Sequence, residues 1–168
     1  MRMYFEITDE RPPDVSKRKW FEFSRDGMNE IGLLYDRTFK MRHFEPGAAA
    51  RYGNQPRKPK YQERKRRAVD AGSFRISSDA KNDNIYTGAL RQAVRMNHTP
   101  QAFPTRVTVN MPTPYYAKMT PATADKPNIG AELTRVAPDE QTTMERAYHA
   151  TVETNMNELR QPETTRIG

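Results

Sequence analysis

Residues 51–67 form the segment of this sequence whose side chains are best suited to bind a charged partner. The segment, RYGNQPRKPKYQERKRR, contains eight basic side chains and one acidic side chain, Glu63. Its charge of +7 equals the net charge of the whole 168-residue chain, so the remaining residues balance acids and bases. Clustered cations of this kind bind phosphates or acidic surfaces. The predicted contact residues are Arg51, Tyr52, Arg57, Lys58, Lys60, Tyr61, Arg64, Lys65, Arg66 and Arg67.

Three interpretations of this basic segment stay open at the level of the sequence. The segment docks on an acidic partner surface, contacts a polyanion, or is a solvated loop. In the second case Tyr52 and Tyr61 would stack on exposed bases. Pro56 and Pro59 argue against a helix before residue 59. A short helix over residues 60–69 would need a counter-surface, because its cations repel one another.

The other residue types that support catalysis or metal binding form no recognisable pattern. The chain has no cysteine, which excludes thiolate catalysis and Cys-based metal sites. His43, His98 and His149 lie far apart at no metal-ligand spacing, and we interpret each as structural. No nucleotide-binding glycine pattern, zinc-protease motif or hydrolase serine motif occurs. The sequence therefore predicts a protein that is not an enzyme and uses no cofactor or metal.

The composition indicates a modest hydrophobic core. Hydrophobic residues make up 35% of the chain, and prolines number 13. Soluble domains are usually about 45–50% apolar when glycine is included. Several segments are therefore expected to be solvated or packed on partner chains. No apolar run approaches the roughly 20 residues that cross a bilayer, so no membrane contact is expected.

Two long helices are predicted to support the basic segment. The first is Ser24–Phe44, with its first residue as the N-cap. Gly27 and Gly32 weaken this helix by about 1 kcal/mol each relative to Ala, so tertiary packing must hold it. The second is Pro138–Arg160, which begins with proline and acids and carries a narrow apolar stripe.

Short strands and loops complete the predicted fold. Alternating side chains predict strands at Met3–Ile7 and Thr105–Met111, with a further strand at Ala131–Val136. Lys19–Phe23 is a second strand or the entry to the first helix, and Thr87–Met96 a short helix. The predicted fold is a single α+β domain over residues 1–160, in which a small, mostly antiparallel sheet packs with two long helices. Extended loops or arms are expected, namely a basic loop 46–72 and a proline-rich loop 112–130, with a mobile tail at 161–168.

A series of short motifs occurs along the chain in a characteristic order. It comprises Lys40-Met41-Arg42-His43-Phe44, Ala50-Arg51-Tyr52-Gly53, the basic run from Tyr61 to Arg67, Tyr86-Thr87-Gly88-Ala89-Leu90-Arg91, a strand carrying Arg106, and Pro114-Tyr115-Tyr116. This order resembles small neck and tail-completion proteins of tailed bacteriophages, including the group called virion morphogenesis proteins. The resemblance covers about residues 31–155.

The resemblance implies a structural virion protein, assembled in the host cytoplasm. Such proteins form homo-oligomeric rings at the head–tail junction and join the head connector or adaptor to the tail tube, as tail-completion or tail-terminator proteins. The basic run would then dock on a neighbouring ring or face packaged DNA in the lumen. The alternative function is a small basic nucleic-acid-binding module.

Overall fold

Three short strands form one antiparallel sheet in the computed structural model, which describes residues 2–55, 57–71, 89–111 and 128–161. The strands are β1 (Arg2–Glu6), β2 (Gln101–Phe103) and β3 (Arg106–Asn110), in the order β1-β3-β2. Met3 lies opposite Val109 and Phe5 opposite Val107, so one face of the sheet is apolar. The predicted α+β class, with an antiparallel sheet packed against two long helices, is confirmed.

Six α-helices accompany this sheet in the described part of the chain. They are α1 (Lys17–Leu34), α2 (Ala48–Arg51), α3 (Pro59–Asp70), α4 (Ala89–Arg95), α5 (Ile129–Glu132) and α6 (Pro138–Arg160). The predicted second long helix is confirmed, as are the strands at residues 3–7 and 105–111 to within about one residue at their ends. None of these helices combines the length and the apolar character that a membrane crossing requires.

The first long helix begins seven residues earlier than predicted. Ser16 is its N-cap, and its hydroxyl oxygen accepts a hydrogen bond from the backbone N of Lys19 at 3.3 Å. The prediction of Ser24 as the cap is wrong, because Ser24 is buried inside α1. Residues 19–23 are therefore the entry to the helix. Beyond α1 the chain continues through a π-helical turn (Tyr35–Phe39) and a 3₁₀ turn (Lys40–Phe44), so helical structure is continuous over 28 residues.

Two glycines allow α1 to pack closely on both sides. A Cβ atom at Gly27 would lie 2.7 Å from Cδ2 of Tyr148 in α6. A Cβ atom at Gly32 would lie 2.6 Å from Cβ of Pro100, just before β2. It would also lie 2.8 Å from Cγ2 of Val107 in β3. The glycines that weaken α1 as an isolated helix thus allow it to pack between the sheet and α6.

The strand predicted at residues 131–136 is wrong. The Asn128 side chain accepts a hydrogen bond from the backbone N of Ala131 at 2.9 Å and caps the short helix α5. Leu133 and Ala137 are buried beyond it without joining the sheet. Local capping and packing therefore override the strand propensity of this segment.

The structure describes only some of the predicted loops. Residues 46–72, expected to form a basic loop, contain the helices α2 and α3, and α3 includes the short helix left open over 60–69. Of the proline-rich loop 112–130, residues 112–127 lie outside the described residues, and 129–130 begin α5. The tail is described only at Gln161. The extent of the domain stays a prediction.

Candidate partner-docking site

The structure divides the predicted contact residues between the interior and the surface. Arg51 is the last residue of α2, and the chain from there to residue 57 leads towards α3. Residues 60–67 lie within α3. Three of the ten predicted side chains belong to buried residues, which makes them supports for the site rather than parts of its surface. The buried residues are Tyr52, Arg57 and Lys65; Tyr61 is partly buried; Arg51, Lys58, Lys60, Arg64, Arg66 and Arg67 are exposed.

A buried ion pair fixes the chain just before α3. The guanidinium group of Arg57 donates to both carboxylate oxygens of Glu132, from Nη1 to Oε1 at 3.0 Å and from Nη2 to Oε2 at 2.6 Å. Glu132 also accepts a hydrogen bond from the backbone N of Gln55 at 2.9 Å. Because the contact is bidentate and both residues are over 90% buried, it sets the position of this segment relative to α5.

A second carboxylate, Glu140, holds the end of α2. Its Oε1 accepts a hydrogen bond from the Tyr52 hydroxyl at 2.7 Å and contacts the guanidinium groups of Arg42 and Arg51 at 3.3 Å each. Its Oε2 accepts a hydrogen bond from the backbone N of Ala137 at the start of α6. Burial, followed by this hydrogen bond to Glu140, raises the pKa of Tyr52 above its usual range. Glu140 is fully buried and joins three separate segments of the chain.

His43 packs against the same tyrosine. The His43 and Tyr52 rings are stacked with centroids 3.8 Å apart, and Arg135 Nη1 donates to the carbonyl oxygens of Tyr52 and Gly53. Gly53 has a φ of +59°, which favours glycine. Burial lowers the pKa of His43 to about 4, although the nearby Glu140 carboxylate opposes that shift. His43 is therefore a neutral packing group at neutral pH.

The outward side of α3 presents the remaining cations. Lys60, Arg64 and Arg67 follow one another at helical spacings of four and three and line an open surface groove with Lys58. The Arg64 guanidinium lies 5.6 Å from the centroid of the Tyr61 ring. Arg67 forms an exposed ion pair with Glu63, the one acid in the segment. This groove is suited to an acidic surface or to phosphates.

A separate polar cluster, formed by Asp36, Lys40 and His98, holds two parts of the chain together. The buried Lys40 Nζ donates to Asp36 Oδ1 and to the carbonyl oxygen of Met96, each at 2.6 Å, and His98 Nδ1 lies 3.0 Å from Asp36 Oδ1. These contacts attach residues 96–98 to the π-helical and 3₁₀ turns that follow α1. In the described ranges, no group of three or more His, Cys, Asp or Glu side chains is arranged to hold a metal ion.

Sequence reasoning did not find the acidic partners of the basic segment. Glu132 and Glu140 lie 75 and 88 residues away from Arg57 and Tyr52. Glu140 is one of the acids with which the second long helix begins, and nothing in the neighbouring sequence distinguishes Glu132. The composition gives no signal either, because the acids and bases outside the segment balance one another.

The motifs that carry the resemblance are only partly described. His43, Tyr52 and Gly53 meet in one cluster, whereas Tyr86-Thr87-Gly88 and Pro114–Tyr116 lie outside the described residues. Comparison of the chain with protein-family models, with curated proteins and with solved structures gives no match.

Proposed function

We propose that this chain is a structural protein of a tailed-bacteriophage virion, forming a ring at the head–tail junction that joins the connector to the tail tube. The proposal rests on the order of motifs that resembles neck and tail-completion proteins. It is supported by the position of those motifs, because His43, Tyr52 and Gly53 form one packed cluster in the segment that leads to the basic helix. Within this role the chain is a tail-completion or tail-terminator protein without catalytic activity.

The structural observation that supports the proposal is the exposed cationic face of α3, which follows a buried, ion-paired segment. Arg57 and Tyr52 hold the start of the segment against the body, while Lys60, Arg64 and Arg67 face solvent. A helix presents these cations at regular spacings along one side, which favours docking on a complementary acidic surface. The partner is an acidic patch on the neighbouring ring of the neck.

Charge reversal on α3 tests this proposal. The double change Lys60→Glu with Arg64→Glu, which alters two cations of the groove, should give particles in which heads and tails accumulate separately, because like charges would face each other at the joint. Electron micrographs give the ratio of joined to separate particles. The matched control, Arg37→Glu with Arg146→Glu, alters two exposed arginines away from α3 and changes the net charge equally. Equal joining by both variants would contradict the proposal.

The alternative function, a small nucleic-acid-binding module, is favoured by Tyr61 beside the cationic row. An aromatic ring among cations is typical of surfaces that bind single strands. On single-stranded DNA the Lys60→Glu, Arg64→Glu variant would bind more weakly and with a salt slope reduced by roughly 1.4, for two lost phosphate contacts. Fluorescence anisotropy in a salt series measures this slope. An unchanged affinity and slope would eliminate the binding-module hypothesis and leave the joining role.

A further inference from the structure

The sheet has two different outer edges. β3 is central, and in the described residues the outer strands β1 and β2 pair only with it. Among residues 2–55, 57–71, 89–111 and 128–161, each outer strand therefore has one side that pairs with no other strand, and such edges are templates for pairing with another chain. Because both outer strands are antiparallel to β3, they run parallel to each other.

The β2 edge opens onto an aromatic groove with basic flanks. Phe21 of α1 and Phe103 of β2 are 45% and 48% exposed, unusually high values for such rings. Both line an open groove between the first turns of α1 and the end of β2. Lys17, Arg18 and Arg25 also line the groove, against one acid, Glu22, which already pairs with Arg18. The groove is therefore apolar at its centre and positive at its rim.

The β1 edge has the complementary character. Tyr4 is 65% exposed on the face of the sheet away from the helices. Glu6, Asp9 and Glu10 are exposed along and just after the strand. The one exposed cation of the strand, Arg2, donates to the Asn110 side chain at 3.1 Å. This edge thus offers an aromatic side chain followed by acids.

We infer that the β1 edge of one copy adds to the β2 edge of a second copy, so that Tyr4 packs beside Phe103 at the outer margin of the Phe21–Phe103 groove, since both rings lie on the face of the sheet away from the helices. The signs of charge on the two edges match, and each edge supplies aromatic area that water otherwise covers. Since the two surfaces differ, the contact is head-to-tail, and a head-to-tail contact that closes gives a ring. The parallel direction of β1 and β2 lets the sheet continue from copy to copy. The inference deepens the proposed function by naming its self-contact.

Cross-linking of the purified full chain tests the contact, and the absence of cysteine makes the experiment clean. Equal amounts of a Tyr4→Cys variant and a Phe103→Cys variant are mixed, in a concentration series, and treated with a short bis-maleimide. We expect a cross-linked dimer that contains one of each variant. The matched control replaces Phe103→Cys by Leu159→Cys, whose side chain is similarly exposed, at 45%, near the end of α6.

The cross-linked products separate the possible arrangements. A chain carrying both Tyr4→Cys and Phe103→Cys should give a ladder beyond dimers, because each copy then reacts at two ends. Adding Phe21→Glu should reduce the ladder at least about tenfold, equivalent to 1.4 kcal/mol of contact energy, with an unchanged thermal unfolding midpoint. Cross-linking no greater than the Leu159 control, or dimers formed equally by Tyr4→Cys alone, would overturn the inference.

Failure of this contact is distinguishable from failure of the proposed function. The cross-linking is measured on the isolated chain and does not depend on head–tail joining. Normal joining with no Tyr4–Phe103 cross-link would refute the edge contact alone. A ladder together with normal joining by the Lys60→Glu, Arg64→Glu variant would refute the docking role of α3 alone.

Discussion

The two halves of the basic segment differ in what their charges contact. In residues 51–57 the guanidinium groups of Arg51 and Arg57 pair with acids from α5 and α6. In residues 60–67 most cations are exposed on α3, and one pairs with Glu63 inside the segment itself. The basic segment, which is uniformly cationic in sequence, therefore consists of a first part that is ion-paired to the body of the protein and a second part whose cations are mostly exposed. The net charge of the segment alone therefore overstates the number of cations that are available to a partner.

The same comparison separates stability from recognition. Breaking a buried ion pair leaves an uncompensated charge in a medium of low polarity, which is costly, whereas exposed pairs contribute little. Changes in the first half should therefore act on folding, and changes in the second half on binding. The following predictions test that division, starting with the largest expected effect.

Replacing Glu132 with alanine should lower the free energy of unfolding by about 3–5 kcal/mol, because Arg57 is left buried without its carboxylate. Urea unfolding measures the change. The control is Glu63→Ala, which removes the exposed pair with Arg67 and should cost less than about 1 kcal/mol. Equal losses in the two variants would contradict the division. Changing Arg57 and Glu132 together to methionine should restore most of the stability.

Acidification should destabilise the protein through His43. Its pKa is about 4 in the fold and 6.5 in the unfolded chain, so the unfolded state binds more protons between these values. Stability is therefore fully present above pH 6.5 and falls as the pH decreases to 4, by up to ~3 kcal/mol. Urea midpoints measured across this window give the slope. The His43→Phe variant keeps an aromatic ring stacked on Tyr52 and should make stability less dependent on pH in this window. An unchanged slope would show that groups other than His43 cause the pH dependence.

Removing the exposed cations of α3 should barely affect folding. Lys60→Ala with Arg64→Ala should change the free energy of unfolding by no more than about 0.5 kcal/mol, as expected for exposed positions. Thermal unfolding checks this, and the same variant should still lose docking. A large destabilisation would show that α3 is held by these residues rather than by its buried base.

The sequence allowed prediction of features that depend on neighbouring residues. Strict alternation at Val107 and Val109 identified the central strand, and the apolar stripe from Met144 to Leu159 identified the second long helix. The start of the first helix was misplaced because Trp20 and Phe23 have strand-like character, yet both are buried on α1. Propensity alone does not choose between Ser16 and Ser24 as the cap.

Contacts between distant residues could not be predicted in the same way. Nothing in the sequence around Arg57 indicates that this residue is buried. Its burial depends on the ion pair with Glu132, which is distant in the sequence and lies in a segment that was predicted as a strand. Glu140 has the sequence features of any acid in a first helical turn. The cations of α3 are visible in the sequence as a run, but their division into buried and exposed members depends on the tertiary fold.

Gly27 and Gly32 also determine the thickness of the molecule. Each leaves room for less than one methyl group between α1 and the layer beside it. A larger side chain at either position would act as a wedge, and would move α6 outward at the first position or the sheet outward at the second. The two positions thus offer separate ways to alter the spacing of the layers by tenths of an ångström without changing any polar group.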